Sequence, residues 1–245
     1  GLIHTPYDPN AMNGAEKFSS PSFSHIMGTD NFGRDIFSRV LKGISMTGLV
    51  AVSTVAIGGS IGTITGAVTG YYGGLVDEIV MRINDALNGF PSILIALIIV
   101  SIIGPGKYNV ILALGILFIP SFARIVRSEY ISLKERDFVK SARLMGAGNM
   151  RIIFRHIFPN IRPTLFVTAT IGFNNAVLAE AGLSYLGIGI QPPDASLGSM
   201  LSDAQSYLFT APWYAIMPGM TIVLFVLGFS LLAEGIRIEA EREQN

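Results

Sequence analysis

Charged residues leave five long gaps along this chain. Runs without Asp, Glu, Lys or Arg cover 43–76, 86–106, 108–123, 163–179 and 204–233. A helix needs about 20 apolar residues to cross the hydrocarbon layer of a bilayer. The gaps therefore predict an all-α membrane protein with five spans, near 44–70, 86–104, 108–126, 164–182 and 213–235. Buried helices of a large soluble protein would need similar runs, but five of them in 245 residues argue against that. Composition agrees. Half the residues are hydrophobic and 14% are charged, against about a quarter charged in soluble domains.

The segments between the gaps carry their own patterns. Residues 1–27 read as loop, with Pro6, Pro9 and Pro21 among Ser and Asn. Ile36-Phe37-Ser38-Arg39-Val40-Leu41 predicts an amphipathic helix lying on the membrane surface and running into the first span. That span carries Gly58, Gly62, Gly66 and Gly70 on one face, where another helix can approach closely. Residues 77–85 predict a polar helical start to the second span, with Pro91 kinking or beginning it. Gly104-Pro105-Gly106 predicts a short turn. The chain thus divides into an arm with its interfacial helix (1–42) and a transmembrane part (43–245) containing the loop 124–162.

Net charge is zero, but its distribution sets a topology. Segment 124–162 holds Arg124, Arg127, Lys134, Arg136, Lys140, Arg143, Arg151, Arg155 and Arg162, against Glu129, Glu135 and Asp137. Short loops rich in Lys and Arg stay cytoplasmic. Segment 180–212 has no Lys or Arg and is expected outside. Alternation then puts 71–85 and the C-terminal tail inside, and 105–108 and 1–42 outside. An external arm without its own exporting segment leads us to expect a sixth, N-terminal span before Gly1.

The basic loop has internal order. Phe138, Val139, Ala142 and Met145 form an apolar helical stripe, and Gly146-Ala147-Gly148-Asn149 breaks it. A second stripe follows at Ile152, Ile153 and Ile157, ending at Pro159-Asn160. The expected shape is helix, bend, helix, then a span. It suits a hairpin entering a groove of another protein, and equally a basic loop pressed on anionic lipid.

Candidate chemistry is sparse. There is no Cys, and His4, His25 and His156 show no metal-ligand spacing. Gly106-Lys107 lacks both flanks of a phosphate-binding loop, since position 101 is Ser and 108 is Tyr. No paired nucleophile and base appears. Asn174, Asn175 and Glu180 lie within or at the end of a span and are candidates for a translocation path, with bonding to a neighbouring helix as the competing role. Asp85 is expected to pair with Arg82 or with another subunit. In 187–212 and just beyond it, Tyr207, Phe209, Trp213 and Tyr214 fit an interfacial belt or a surface for a binding protein.

Several motifs carry a family resemblance. Lys140-Ser141-Ala142-Arg143-Leu144-Met145-Gly146-Ala147-Gly148, followed by His156-Ile157-Phe158-Pro159, resembles the EAA loop of ABC importer permeases. That pattern is Glu-Ala-Ala, three residues, Gly, nine residues, Ile-x-Leu-Pro. Ala142, Gly146 and Pro159 match it; Lys140, Ser141, His156 and Phe158 depart from it. Gly28-Thr29-Asp30 with Gly33-Arg34-Asp35 and Ser38-Arg39 is similar to the lead-in of the second permease of dipeptide, oligopeptide and nickel importers. So are Gly70-Tyr71-Tyr72-Gly73-Gly74 with Asp77-Glu78, and Glu180-Ala181-Gly182-Leu183-Ser184-Tyr185-Leu186-Gly187 with Gln191-Pro192-Pro193.

The resemblance implies a type I ABC importer permease (MetI-like) fold in a bacterial inner membrane, working by alternating access. Its implied partners are a homologous second permease, two ATP-binding subunits, an extracytoplasmic substrate-binding protein and membrane lipid, with no nucleic acid. The chain would bind no cofactor itself; ATP and Mg would sit on the ATPase subunits. Di- or oligopeptides are the implied substrate, with nickel or a metal chelate as the alternative. Outside that family, a membrane scaffold or sensor with a partner-binding loop remains open, whereas an embedded enzyme lacks the residues it would need.

Overall fold

The computed structural model describes residues 5–242. An extended arm precedes α1 (Ile36–Tyr72), which runs 37 residues without a break, about 55 Å at 1.5 Å per residue. Then follow α2 (Gly74–Asn88), α3 (Ser92–Ile103), α4 (Lys107–Leu133) and α5 (Asp137–Leu144). After a turn come α6 (Asn149–Arg151), a π-helical stretch Ile152–Ile157, and α7 (Phe158–Tyr185). The last helices are α8 (Leu197–Ala204) and α9 (Trp213–Arg242). The expectations placed at Gly1 and on the final residues of the tail lie outside the described residues.

The bundle has two ends. The arm, the 104–106 turn, the 186–196 loop and α8 gather at one, tied by Gly106 N–H donating to the Gly189 carbonyl at 3.1 Å and by Lys107 to Asp194 at 3.1 Å. The basic segment gathers at the other. Among the described residues, Ile36–Tyr72, Lys107–Leu133 and Trp213–Ile236 are long and apolar enough to cross a membrane. Gly74–Asn88 with Ser92–Ile103 makes a fourth candidate if that bent pair counts as one span. Helix α7 is long enough at 28 residues, but Thr164, Thr168, Thr170, Asn174, Asn175 and Glu180 make it too polar for that set.

Four details differ from the expectations. The surface helix at 36–41 is the first turn and a half of α1, and its Ile36, Ser38, Arg39 and Val40 are buried. Its polar groups are covered by the folded arm, so the period that looked interfacial is that of a core helix. The span expected at 86–104 is two helices bent by 90° around Gly89–Pro91. Pro91 precedes α3 and supplies no N–H, so the chain turns there and α3 has only 12 residues. The second half of the basic loop does not stop at Pro159-Asn160. Pro159 sits in the first turn of α7, where a missing N–H costs little. Finally, Asp85 pairs with Arg124 at 2.8 Å, and Arg82 pairs with Glu78 at 2.7 Å.

The glycine face of α1 packs on α4. A Cβ at Gly62 would lie 2.6 Å from the Phe122 Cβ and 2.7 Å from the Ile119 carbonyl oxygen. At Gly66 it would collide with the Ala123 carbonyl oxygen, and at Gly70 it would reach 2.7 Å from that of Arg127. Backbones this close gain dispersion over the whole contact, the main attraction available where lipid is as apolar as side chains. Helix α9 is the opposite case. Its Ile216, Met220, Val223, Leu227 and Leu231 are exposed, a surface suited to acyl chains.

Candidate functional site

Two places concentrate the residues that chemistry can use: the hairpin at the basic end, and a groove among α3, α4 and α7.

The hairpin begins with Asp137 in the first turn of α5 and Arg143 in its last, both favourable to the helix dipole. It stops at Leu144 through a Schellman turn. Gly146 N–H donates to the Arg143 carbonyl and Ala147 N–H to the Ala142 carbonyl, each at 3.0 Å, with Gly146 at φ +83°. That left-handed position is the physical reason for a glycine, since a Cβ there would meet nothing within 4 Å.

Val139 and Ala142 face inward, and so do Ile152, Ile153 and Ile157. Val139 and the three isoleucines join Ala67, Tyr71, Val126, Tyr130 and Ile161 at the basic ends of α1, α4 and α7. Polar clamps reinforce the packing. Tyr71 Oη donates to Asn149 Oδ1 at 2.9 Å, Tyr130 Oη to the Ile153 carbonyl at 3.2 Å, and Lys134 Nζ to the Gly70 carbonyl at 3.1 Å. Arg127 holds Asp77 of α2 in a two-pronged pair, with Nη2 to Oδ2 at 2.6 Å. The hairpin therefore contacts α1, α4 and α7 directly, and α2 is tied to them through Arg127 of α4.

The tip is left bare. Leu144 is 90% exposed and Met145 82%, although the expected stripe had Met145 facing inward. The Schellman turn ends the helix before Met145, so the i+7 spacing no longer holds. Phe138 is also exposed, as are Met150 and Phe154 on the second limb. Lys140, Ser141, Arg143, Gly146, Gly148, Arg151 and Arg155 share this exposure, Ala147 is half-buried, and Pro159 lies behind the tip. The tip thus presents apolar knobs ringed by cations on a packed base.

The three polar candidates of α7 separate. Glu180 is fully buried; its Oε2 accepts from Thr47 Oγ1 at 2.8 Å and its Oε1 from Ser184 Oγ at 2.6 Å. Ser184 Oγ in turn accepts from Ile190 N–H, and Thr47 Oγ1 from Leu197 N–H. Glu180 is thus a hub joining α1, α7, the 186–196 loop and α8. Asn174 donates from Nδ2 to Ser230 Oγ of α9 at 2.8 Å. Asn175 points elsewhere. It lines a groove of about 530 Å³ with Asn88, Ser92, Ser121, Thr168, Phe122 and Leu117, among others.

The arm end holds a network that the lead-in motif encoded only as spacing. Asp30 Oδ1 accepts from Phe32 and Arg34 N–H, and its Oδ2 takes Arg34 Nε at 2.6 Å, with Arg39 Nε at 3.6 Å. Asp35 caps α1 by accepting from Ser38 N–H at 2.7 Å, and holds His25 at 2.9 Å. Gly33, at φ +73°, has the Asn13 carbonyl where a Cβ would stand. On α8, Asp203 faces Arg39 at 3.9 Å. Burial pushes its carboxyl above the usual aspartate range, and the neighbouring arginines only partly offset that.

Comparison with known proteins decides the family. The family model described as "Binding-protein-dependent transport system inner membrane component" matches residues 58–237. The chain belongs to this family. It is the inner-membrane permease of an ABC importer, and ATP hydrolysis resides in partner subunits. It is 43% identical over 227 residues to the dipeptide transport system permease of Alkalihalophilus pseudofirmus, covering 92% of this chain and 74% of that one. It is 42% identical over 233 residues to the glutathione transport system permease of Pectobacterium atrosepticum, covering 95% and 77%. The fold matches a chain of the MetNI methionine ABC transporter in an inward-facing conformation, with TM-score 0.68, 21% identity, and 82% and 95% of the two chains covered. This permease is therefore all-helical, and it shares that fold.

Proposed function

We propose that this permease is one of two homologous membrane subunits of an importer for short peptides, including glutathione-like ones, and that the hairpin within its 124–162 segment seats in the ATP-binding subunits. The observation that carries the reading is the hairpin itself: bare Leu144 and Met145 on a glycine-fixed turn, clamped by Tyr71, Tyr130 and Lys134 to α1 and α4. Closure of two ATP-loaded motors would pull two such hairpins together and swing the helices attached to them.

In this reading the basic end is cytoplasmic and the arm end extracytoplasmic, as the Lys and Arg distribution favours. Helices α1, α2–α3, α4, α7 and α9 supply five spans. Helix α7 crosses despite its polarity because its amides and hydroxyls face protein or a water-filled path. The arm and α8 form the surface for an extracytoplasmic binding protein. The path runs along the α3–α4–α7 groove, with Asn175 on it and Asn174 and Glu180 holding helices together. Relatives carrying dipeptide and glutathione names support a peptide substrate. The groove lining has no Asp, Glu, His or Cys with which to strip a bare nickel ion.

The test is reconstitution of the whole importer in vesicles, with ATP inside and loaded binding protein outside. Uptake of dipeptide coupled to ATP hydrolysis supports the reading; ATP hydrolysis that no peptide-loaded binding protein stimulates would refute it.

A further inference from the structure

The groove wall is built from a narrow choice of chemistry. Asn88, Ser92, Ser121 and Asn175 are exposed on it, from α2, α3, α4 and α7. Among the described residues their side chains make no hydrogen bond. Thr168 completes the polar set, with its hydroxyl given to the Thr164 carbonyl. Unpaired amides and hydroxyls on spanning helices are costly against acyl chains. Their exposure marks this face as one for polar contacts rather than for acyl chains. Apolar positions such as Leu117, Phe122 and Leu178 separate them, so cargo meets scattered hydrogen-bonding groups and no continuous polar track.

Among the described residues, no charged residue lines the groove. Asp85 lies one helical turn before Asn88 and Arg124 one after Ser121, while Glu180, next to the lining residue Ala179, is buried with Thr47 and Ser184. Asp85 and Arg124 neutralise each other at 2.8 Å. A peptide moving along such a wall can trade water for amide and hydroxyl partners at its backbone. Its side-chain charge finds neither a partner nor a repelling group.

We propose that this wall is a charge-blind peptide slide: Asn88, Ser92, Ser121 and Asn175 offer exchangeable hydrogen bonds to backbone amides, and the membrane step does not sort peptides by net charge. The proposal rests on the peptide-importer reading above and adds where selection is absent. Charge preference of the assembled importer then belongs to the binding protein. Asn175 is the sensitive position, because it is exposed mid-helix on α7 and replacing it with a charge leaves the Asn174–Ser230 bond alone.

The experiment uses the complete reconstituted importer and three probes: dilysine, dialanine and diglutamate. Initial uptake is measured at saturating loaded binding protein, so that capture is not limiting. The wild type is expected to move all three at rates within about three-fold, as expected where no unpaired charge lines the wall. Asn175→Asp should slow diglutamate relative to dilysine by about ten-fold or more, and Asn175→Lys should reverse that order, since a fixed unit charge a few ångströms away acts at about this strength. Ser92→Asp on the facing wall is a second probe and should sort in the same direction as Asn175→Asp. Sorting by wild type, or equal slowing of all three probes in all the variants, would overturn the slide. Loss of the second permease from the purified complex in both Asn175→Asp and Ser92→Asp would show that a partner helix fills the groove, and would overturn it too. If wild type moved none of the peptides, the failure would lie with the peptide-importer reading and not with the slide.

Discussion

Gly146 offers the most quantitative handle on the hairpin. Its φ of +83° lies in the left-handed region, and a Cβ would meet no atom within 4 Å. Any penalty for a side chain is therefore conformational and not steric crowding by neighbours. For alanine that penalty is about 1–2 kcal/mol. A β-branched residue fares worse, and Asn tolerates the region best. The cost falls on a local turn held by two 3.0 Å hydrogen bonds, and the exposed tip can open without unpacking Val139, Ile152 and Ile153, so global stability should barely change. The docking-competent tip, however, should lose about five- to thirty-fold in population for alanine, and apparent affinity for the motor falls by the same factor. The series is Gly146→Asn, Gly146→Ala and Gly146→Val. The assay is binding of purified ATP-binding subunits to the permease pair in nanodiscs, with peptide-stimulated ATP hydrolysis as the second readout. The expected rank is Gly above or equal to Asn, then Ala, then Val, with helical content and thermal midpoint unchanged. Equal affinity for Asn and Val would refute the backbone argument. Full coupling in the Val variant would refute the docking role.

The remaining predictions probe other parts. Leu144→Ser with Met145→Ser should leave the thermal midpoint unchanged, because both side chains are exposed, but should weaken motor binding by about ten-fold or more, since a buried Leu or Met contributes about 1.5–3 kcal/mol; copurification and binding titration read this out. Gly66→Ala should cost roughly 1–3 kcal/mol by forcing α1 from the Ala123 carbonyl, seen as a lowered unfolding midpoint in detergent. Glu180→Ala should destabilise by about 1–3 kcal/mol, leaving Thr47 and Ser184 without their acceptor, while motor affinity measured at low temperature stays near wild type. Asp203 binds its proton more tightly when folded than when unfolded, so its contribution is favourable at low pH and is lost as pH rises through its elevated folded value. Asp203→Asn should therefore raise the unfolding midpoint at neutral pH, with the gain vanishing on acidification; a gain that grew on acidification would contradict the burial argument.

Most of the fold was legible because hydrocarbon imposes a length and a composition. The gaps around 44–70, 108–126 and 213–235 became α1, α4 and α9. In the gap around 86–104 the break expected at Pro91 is present, but hydropathy sees apolar content and not direction, so the 90° turn over Gly89–Pro91 was not legible. Residues 36–41 misled for a related reason: an amphipathic period is the same whether its polar side meets headgroups or a folded arm carrying Asp30 and Asn31. In the hairpin, spacing marked Gly146 as a break, and the structure supplies the cause, a Schellman turn. That turn also exposes Met145, which no periodicity argument could anticipate once the helix had ended. For α7, sequence could name Asn174, Asn175 and Glu180 as costly in lipid but could not tell which had protein partners. Three-dimensional contacts decide that: Ser230 for Asn174, Thr47 and Ser184 for Glu180, and none among the described residues for Asn175.

The chain has no native cysteine, so a single Met145→Cys carrying a short photo-crosslinker gives the most direct test of the hairpin's role. In the assembled importer in lipid vesicles, the account predicts a crosslink to an ATP-binding subunit, competed by excess unlabelled permease pair. Labelling of lipid alone, with full ATP-driven uptake in the same vesicles, would contradict it.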